Sequence, residues 1–369
     1  MPRLDELQTP ALLIRMDRVR HNVATMLARC GGAQRWRPHV KTAKVGEVLD
    51  LLFAAGVTDF KCATTKEARV LLARAPAPID LLVAFAHRGP NLAQLADLAA
   101  LHPRHRVSVL SEDPEHVRDV RAASQALGVW IDVDPQWHRS GIPLNAPERI
   151  AAVAAAAGAS LRGVHCYDGH VRDADPDVRR RAAHAIYAEL LNVLTRLRLT
   201  DVAIVTSGTP SFEAALAFPH WRDGAHAVSP GTVVYWDATS EGFGIRGFAP
   251  AVHVLARVTS ASVRGRITVD AGSKALDAAA GDPCAFVDGW PGLDVLHPSE
   301  EHLPIAVRDG AAPALGALLQ LWPVHVCPTV NLADEAVLLE GDVIVGVVPV
   351  HARGHDTLGP ARVAFDRNP

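Results

Sequence analysis

Trp36-Arg37-Pro38-His39-Val40, a helical stretch over 44–55, then Asp59-Phe60-Lys61-Cys62-Ala63: this passage of the 369-residue chain decides the fold. Short β-rich apolar runs bounded by turn residues read as strands, and the Ala/Leu-rich stretch between them reads as a helix. The alternation then continues. Strands are predicted over 79–85, 106–110, 129–133, 161–166, 202–206 and 226–229, with helices over 65–73, 91–101, 114–127, 147–157, 177–197 and 211–217. Eight strand-helix units over about 200 residues match a (β/α)8 barrel, whereas an open doubly wound sheet usually stops at about five to seven strands.

Beyond about residue 240 the pattern changes. Runs at 252–262, 266–270, 324–327, 335–339, 343–350 and 362–365 read as strands with few helices between them. The expected division is a barrel over 15–240 and a β-rich domain over 241–369, with the strand-like 11–14, ahead of a helix over 17–28, pairing with the second domain. Hydrophobic residues make up 49% of the chain and charged residues 21%, as in a globular protein. A net charge of -3 without any basic block excludes the electrostatic footprint of a nucleic-acid binder. No stretch approaches the ~18 apolar residues of a membrane span, and residues 1–8 carry charges without a signal-peptide core. Five scattered cysteines, an odd number, point to reduced thiols and a cytoplasmic protein.

In a barrel enzyme the reactive side chains project from the C-terminal ends of the strands. That rule singles out Lys41, in Pro38-His39-Val40-Lys41-Thr42-Ala43-Lys44 at the end of strand one. A rim lysine can form a Schiff base when partial burial lowers its pKa, although most lysines are solvated or salt-bridged. Strand seven ends in Thr206-Ser207-Gly208-Thr209-Pro210 and strand eight runs into Ser229-Pro230-Gly231-Thr232. Read singly, these are ordinary turns. Their joint position after strands seven and eight makes a phosphate cup from Ser207, Gly208, Thr209, Gly231 and Thr232. An amine facing an anion cup suggests pyridoxal phosphate (PLP).

Arg139, in the loop after strand five, can reach the ring's phenolate oxygen or pair with Asp132 or Asp134. Tyr167, after strand six, can touch the ring or simply pack. In the second domain, His325 and Cys327 fall on one face of the expected strand over 324–327, where they could bind zinc together or merely pack. His302, in Pro298-Ser299-Glu300-Glu301-His302, is a candidate acid or base, or part of a solvated turn.

The motifs named so far, together with Thr9-Pro10-Ala11, His138-Arg139-Ser140-Gly141, Val269-Asp270-Ala271-Gly272-Ser273-Lys274 and Pro328-Thr329-Val330-Asn331, occur in a specific order. In that order they resemble the fold-type III PLP enzymes, which comprise D-threonine aldolase, D-serine dehydratase and D-threo-3-hydroxyaspartate dehydratase. The resemblance spans nearly the whole chain and implies an alanine-racemase-like barrel followed by a β domain. It further implies Lys41 as the Schiff-base lysine, the two Gly loops on the phosphate, and Arg139 and Tyr167 on the ring. His325 and Cys327 would hold a divalent metal, zinc or manganese, in a homodimer. Two positions depart from the pattern: Ala43 stands where many relatives carry histidine, and Cys327 stands where the aldolase branch usually has aspartate.

The implied activity is a metal-assisted lyase on a small D-configured β-hydroxy-α-amino acid, cleaving it to glycine and an aldehyde. The alternative is a dehydratase yielding a 2-oxo acid and ammonia. A racemase would need a second base opposite Lys41, classically a tyrosine of the β domain, and none of Tyr167, Tyr187 and Tyr235 lies there. Non-catalytic PLP-binding barrels are shorter and lack the second domain.

Overall fold

The computed structural model describes residues 3–357. Seven parallel strands follow one another in sequence order: Asp59–Cys62, Asp80–Val83, Arg106–Ser111, Gly128–Asp134, Leu161–Cys166, Ala203–Thr206 and His226–Val228. Residues 36–40 close the ring. The Arg37 N–H donates to the Val228 carbonyl at 2.9 Å, and the Val40 N–H donates to the Lys61 carbonyl at 2.8 Å. This eighth position is held by isolated bridges, Trp36 to Val228 and His39 to Lys61, rather than a continuous ladder. Pro38 sits in its middle and has no N–H to give.

Alternation along each strand separates two environments. In strand two, Phe60 and Cys62 join the large core packed beneath the helices. Leu82, Leu110, Trp130 and Val205 fill a separate cluster within the ring, and Lys61 lies in register with Leu82. Deeper in the ring the Arg37 guanidinium, 5.1 Å from the centre of the Trp130 ring, pairs with Asp59 at 2.7 Å and Asp80 at 2.9 Å.

The helices begin where the local chemistry places them. Asp113 and Asp175 cap helices Pro114–Ala123 and Pro176–Arg196, each with proline in the first turn, where a missing N–H costs nothing. Thr64 and Glu67 form a capping box for helix Thr65–Arg74. Glu67 also takes the buried Lys44 ammonium at 2.7 Å.

The second layer is a mixed, mostly antiparallel sheet. As expected, the amino-terminal strand, Ala11–Arg15, belongs to it, antiparallel to Val252–Ser260 and parallel to Glu335–Glu340. Strands Ala285–Val287, Leu293–Val295, Leu303–Val307 and Leu318–Pro323 were not predicted from the sequence. Three of them carry no more than five residues, and Pro304 and Pro323 interrupt or end the apolar pattern.

The expected strand over 324–327 is corrected. Helix Val326–Leu332 begins here with His325 as its N-cap residue. The Asp237 carboxylate accepts the Val326 N–H at 3.1 Å, and Pro328 falls in the first turn, where its ring is tolerated. The strand expected over 362–365 lies outside the described residues. Among the described residues, no helix is long and apolar enough to cross a membrane.

Candidate active site

A cleft of about 670 Å³ opens at the C-terminal ends of the barrel strands and is bounded on one side by the β domain. Lys41, Arg139, Tyr167, Gly208, Thr209, Gly231, Thr232, His325 and Cys327 all line it. Residues separated by almost 290 positions thus meet: the Thr42 hydroxyl lies 3.1 Å from the Cys327 Sγ. Two expected residues fall elsewhere. Ser207 is buried behind the loop, and His302 is exposed in the β domain, where its carbonyl accepts the Ser299 N–H at 2.9 Å.

The loop after strand seven is a tight fit. Ser207 adopts a left-handed φ of 61°, and its buried hydroxyl has no hydrogen-bond partner among the described residues. A left-handed non-glycine residue costs about 1–3 kcal/mol and persists only where its surroundings enforce it. A Cβ on Gly208 would stand 2.9 Å from the Tyr167 ring, and one on Gly231 would stand 2.3 Å from the His39 carbonyl oxygen. Among the described residues, the N–H groups of Gly208, Thr209 and Gly231 donate to no protein acceptor. Free amides at glycines with backbone pressed close are the features of an anion cradle.

Loop six is tied to loop seven through Asp168. Its carboxylate accepts the Ser211 hydroxyl at 2.8 Å and the Tyr187 hydroxyl, and burial pushes its pKa above the ordinary carboxylate value. Loop five is shaped by Asp134, whose carboxylate accepts the N–H of Trp137 at 2.7 Å and of His138 at 3.0 Å. Gly141 turns back at φ 97°, with no room for a Cβ against the Asp134 N–H. This loop carries Arg139, whose guanidinium lies 4.2 Å from the centre of the Trp137 ring and 5.0 Å from that of Tyr167. Among the described residues Arg139 has no ion-pair partner, so neither Asp132 nor Asp134 takes it up.

On the β-domain side, His325 and Cys327 converge although they occupy a helix start. Burial raises the Cys327 pKa, but the His325 hydrogen bond and the nearby Lys41 ammonium outweigh it, and the thiol lies below its usual value. The His325 imidazole is shifted up by the same hydrogen bond and stands 3.1 Å from Asp277. Among the described residues, no set of three or more His, Cys, Asp or Glu side chains is arranged to hold a metal ion.

His39, Lys61, Asp132 and His165 form the inner wall of the cleft, and of these Lys61 is the one that sequence reasoning passed over. The signal was available: Lys61 interrupts a strand whose neighbours Phe60 and Cys62 are apolar, so alternation turns it inward.

The residues at 14–239 match the alanine racemase N-terminal domain, and those at 251–339 match the putative serine dehydratase domain. The chain belongs to the alanine racemase-like family that includes D-threonine aldolase. Within this family it is 30% identical to the D-threonine aldolase of an Arthrobacter species, over 95% of this chain and 94% of that one. It is 29% identical to the D-threo-3-hydroxyaspartate dehydratase of Delftia sp. strain HT23, over 88% and 92%. The crystal structure of the Filomicrobium marinum D-threonine aldolase superposes with a TM-score of 0.85 at 28% identity, covering 95% of this chain and 97% of that one. Family membership and the observed barrel with its second, β-rich domain agree with the architecture read from the sequence.

Proposed function

We propose that this chain is a PLP- and divalent-metal-dependent lyase that cleaves D-configured β-hydroxy-α-amino acids to glycine and an aldehyde. The observation carrying the reading is the convergence, in one cleft, of a lysine, two loops with unpartnered amides and an imidazole-thiol pair. The donor sets fit both groups. Lys41 would hold the cofactor's aldehyde carbon, the loops at 207–209 and 231–232 its phosphate, and Arg139 with the Tyr167 face its ring. His325 and Cys327 offer the imidazole and thiolate that suit zinc, with manganese the other candidate, and leave open positions for a substrate oxygen. When bound, PLP supplies an electron sink for the pair released at Cα, and the metal lowers the pKa of the β-hydroxyl.

The protein's own part is to orient and to exclude. Asp168 and Asp134 fix the loops that flank the cofactor seat, while Trp137 and Tyr167 form an apolar wall that limits water. The Arg139 guanidinium, which pairs with no carboxylate among the described residues, is ready for an anionic oxygen. The pair of His325 and Cys327 also keeps the dehydratase reading in view, because the curated relatives include both an aldolase and a dehydratase. A homodimer in the cytoplasm accompanies the reading; the five cysteines are all unpaired and four are buried, as suits a reducing compartment.

Product analysis is the test. D-threonine, D-serine and D-3-hydroxyaspartate are each incubated with the PLP- and metal-loaded protein. Glycine plus aldehyde supports the aldolase, oxo acid plus ammonia selects the dehydratase, and no reaction with any of the three overturns the proposal.

A further inference from the structure

Lys61 is a buried amine without a counter-ion. Its side chain projects inside the ring from strand two, only 2% of the residue is exposed, and no carboxylate pairs with it among the described residues. Its one hydrogen-bond partner there is the Nε2 of His165, at 3.4 Å, and its Nζ lies 5.3 Å from the centre of the Tyr167 ring. His165 is itself fixed, with Nδ1 2.8 Å from the Asp132 carboxylate, whose other oxygen accepts the Ser140 hydroxyl at 3.0 Å. The wall thus holds the amine in place and leaves its charge unmatched.

Every element packed around Lys61 contributes to its state. Strand one brings Arg37, His39 and Lys41, strand five Asp132, its loop Arg139, and strand six His165 and Tyr167. Burial first, then Lys41 and Arg139, lower the Lys61 pKa to about 7, with Asp132 opposing. Burial likewise keeps His39 and His165 neutral. A desolvated lysine that lines a cleft and is held by neighbouring side chains is a candidate for function there.

We propose that Lys61 is a further ligand-binding residue of this cleft, an amine that takes up a proton as an anionic oxygen of cofactor or substrate is seated against it. The inference rests on the PLP reading of the cleft. The proton comes from solvent, no covalent bond changes, and the resulting ammonium answers the negative charge of the seated oxygen. Two oxygen sources share this chemistry, the cofactor's phenolate or phosphate and the substrate's carboxylate.

The test is calorimetric. PLP binding to the wild type and to Lys61→Met is measured at pH 8 in two buffers of different ionisation enthalpy, which counts protons taken up. D-threonine is then added to each PLP-loaded protein. Wild type is expected to take up nearly one proton more than the variant, in the first step if the cofactor is the source and in the second if the amino acid is. Lys61→Gln provides the same count where the methionine variant fails to fold. Equal proton uptake in both steps, with PLP bound to both proteins, overturns the role of Lys61 and leaves the cofactor reading intact. A wild-type protein that binds no PLP overturns both.

Discussion

Gly231→Ala is the sharpest perturbation of the proposed phosphate cradle. The added methyl would sit 2.3 Å from the His39 carbonyl oxygen and 3.2 Å from the carbonyl carbon and the Thr42 hydroxyl oxygen. A carbon-oxygen contact needs about 3.2 Å, so one backbone must move by about 1 Å, and overpacking of this kind costs about 1–3 kcal/mol. The obstructing atom is main chain, two residues ahead of Lys41, so the displacement passes into the segment that presents the amine. PLP affinity should fall by about 5- to 150-fold. Gly208→Ala is the internal comparison: its methyl meets the Tyr167 ring at 2.9 Å, a side chain that can rotate away. Its loss should be the smaller. Titration of each protein with PLP, followed by the visible absorbance of bound cofactor, gives both affinities, and thermal melting of the cofactor-free proteins separates the fold from the site. A Gly231→Ala protein that matches the wild type in both measurements would refute the close approach and the cradle built on it.

Lys41→Ala should abolish the visible absorbance of lysine-bound PLP, and an unchanged spectrum would remove Lys41 from the site. Stripping divalent metal with a chelator, or Cys327→Ala, should end turnover while PLP stays bound; full activity after either would take His325 and Cys327 out of the reaction. His226, stacked on Trp221 and bonded to Thr206 at 2.8 Å, is pushed by burial from 6.5 to about 3. The unfolded chain therefore binds a proton there that the folded chain does not, and stability falls by about 1.4 kcal/mol per pH unit from about 6.5 down towards 3. His226→Phe should lessen the loss between pH 7 and pH 5 in denaturant titrations, and an identical loss would show that His226 is not its source. Asp168→Asn replaces one acceptor oxygen by a donor facing Tyr187 or Ser211 and should cost about 1–3 kcal/mol in the same measurement.

Periodicity and turn chemistry by themselves determined the barrel, because the strand-helix units encode their own alternation and several encode their own caps, such as Asp113-Pro114 and Asp175-Pro176. The same local logic put Lys41 and the two glycine loops at strand ends, where a barrel gathers its chemistry. Local pattern misled at Val324-His325-Val326-Cys327, an alternating run that the distant Asp237 carboxylate converts into a helix start by accepting the Val326 N–H. The short strands between 285 and 323 were hidden for a related reason: they are stabilised by long-range pairing rather than by their own composition. Tertiary structure alone brought Cys327 to Thr42 and set His302 outside the cleft. It alone turned Lys61 from one lysine among many into a buried amine, since burial and the charges of Lys41, Arg139 and Asp132 act through space between strands that the sequence keeps far apart.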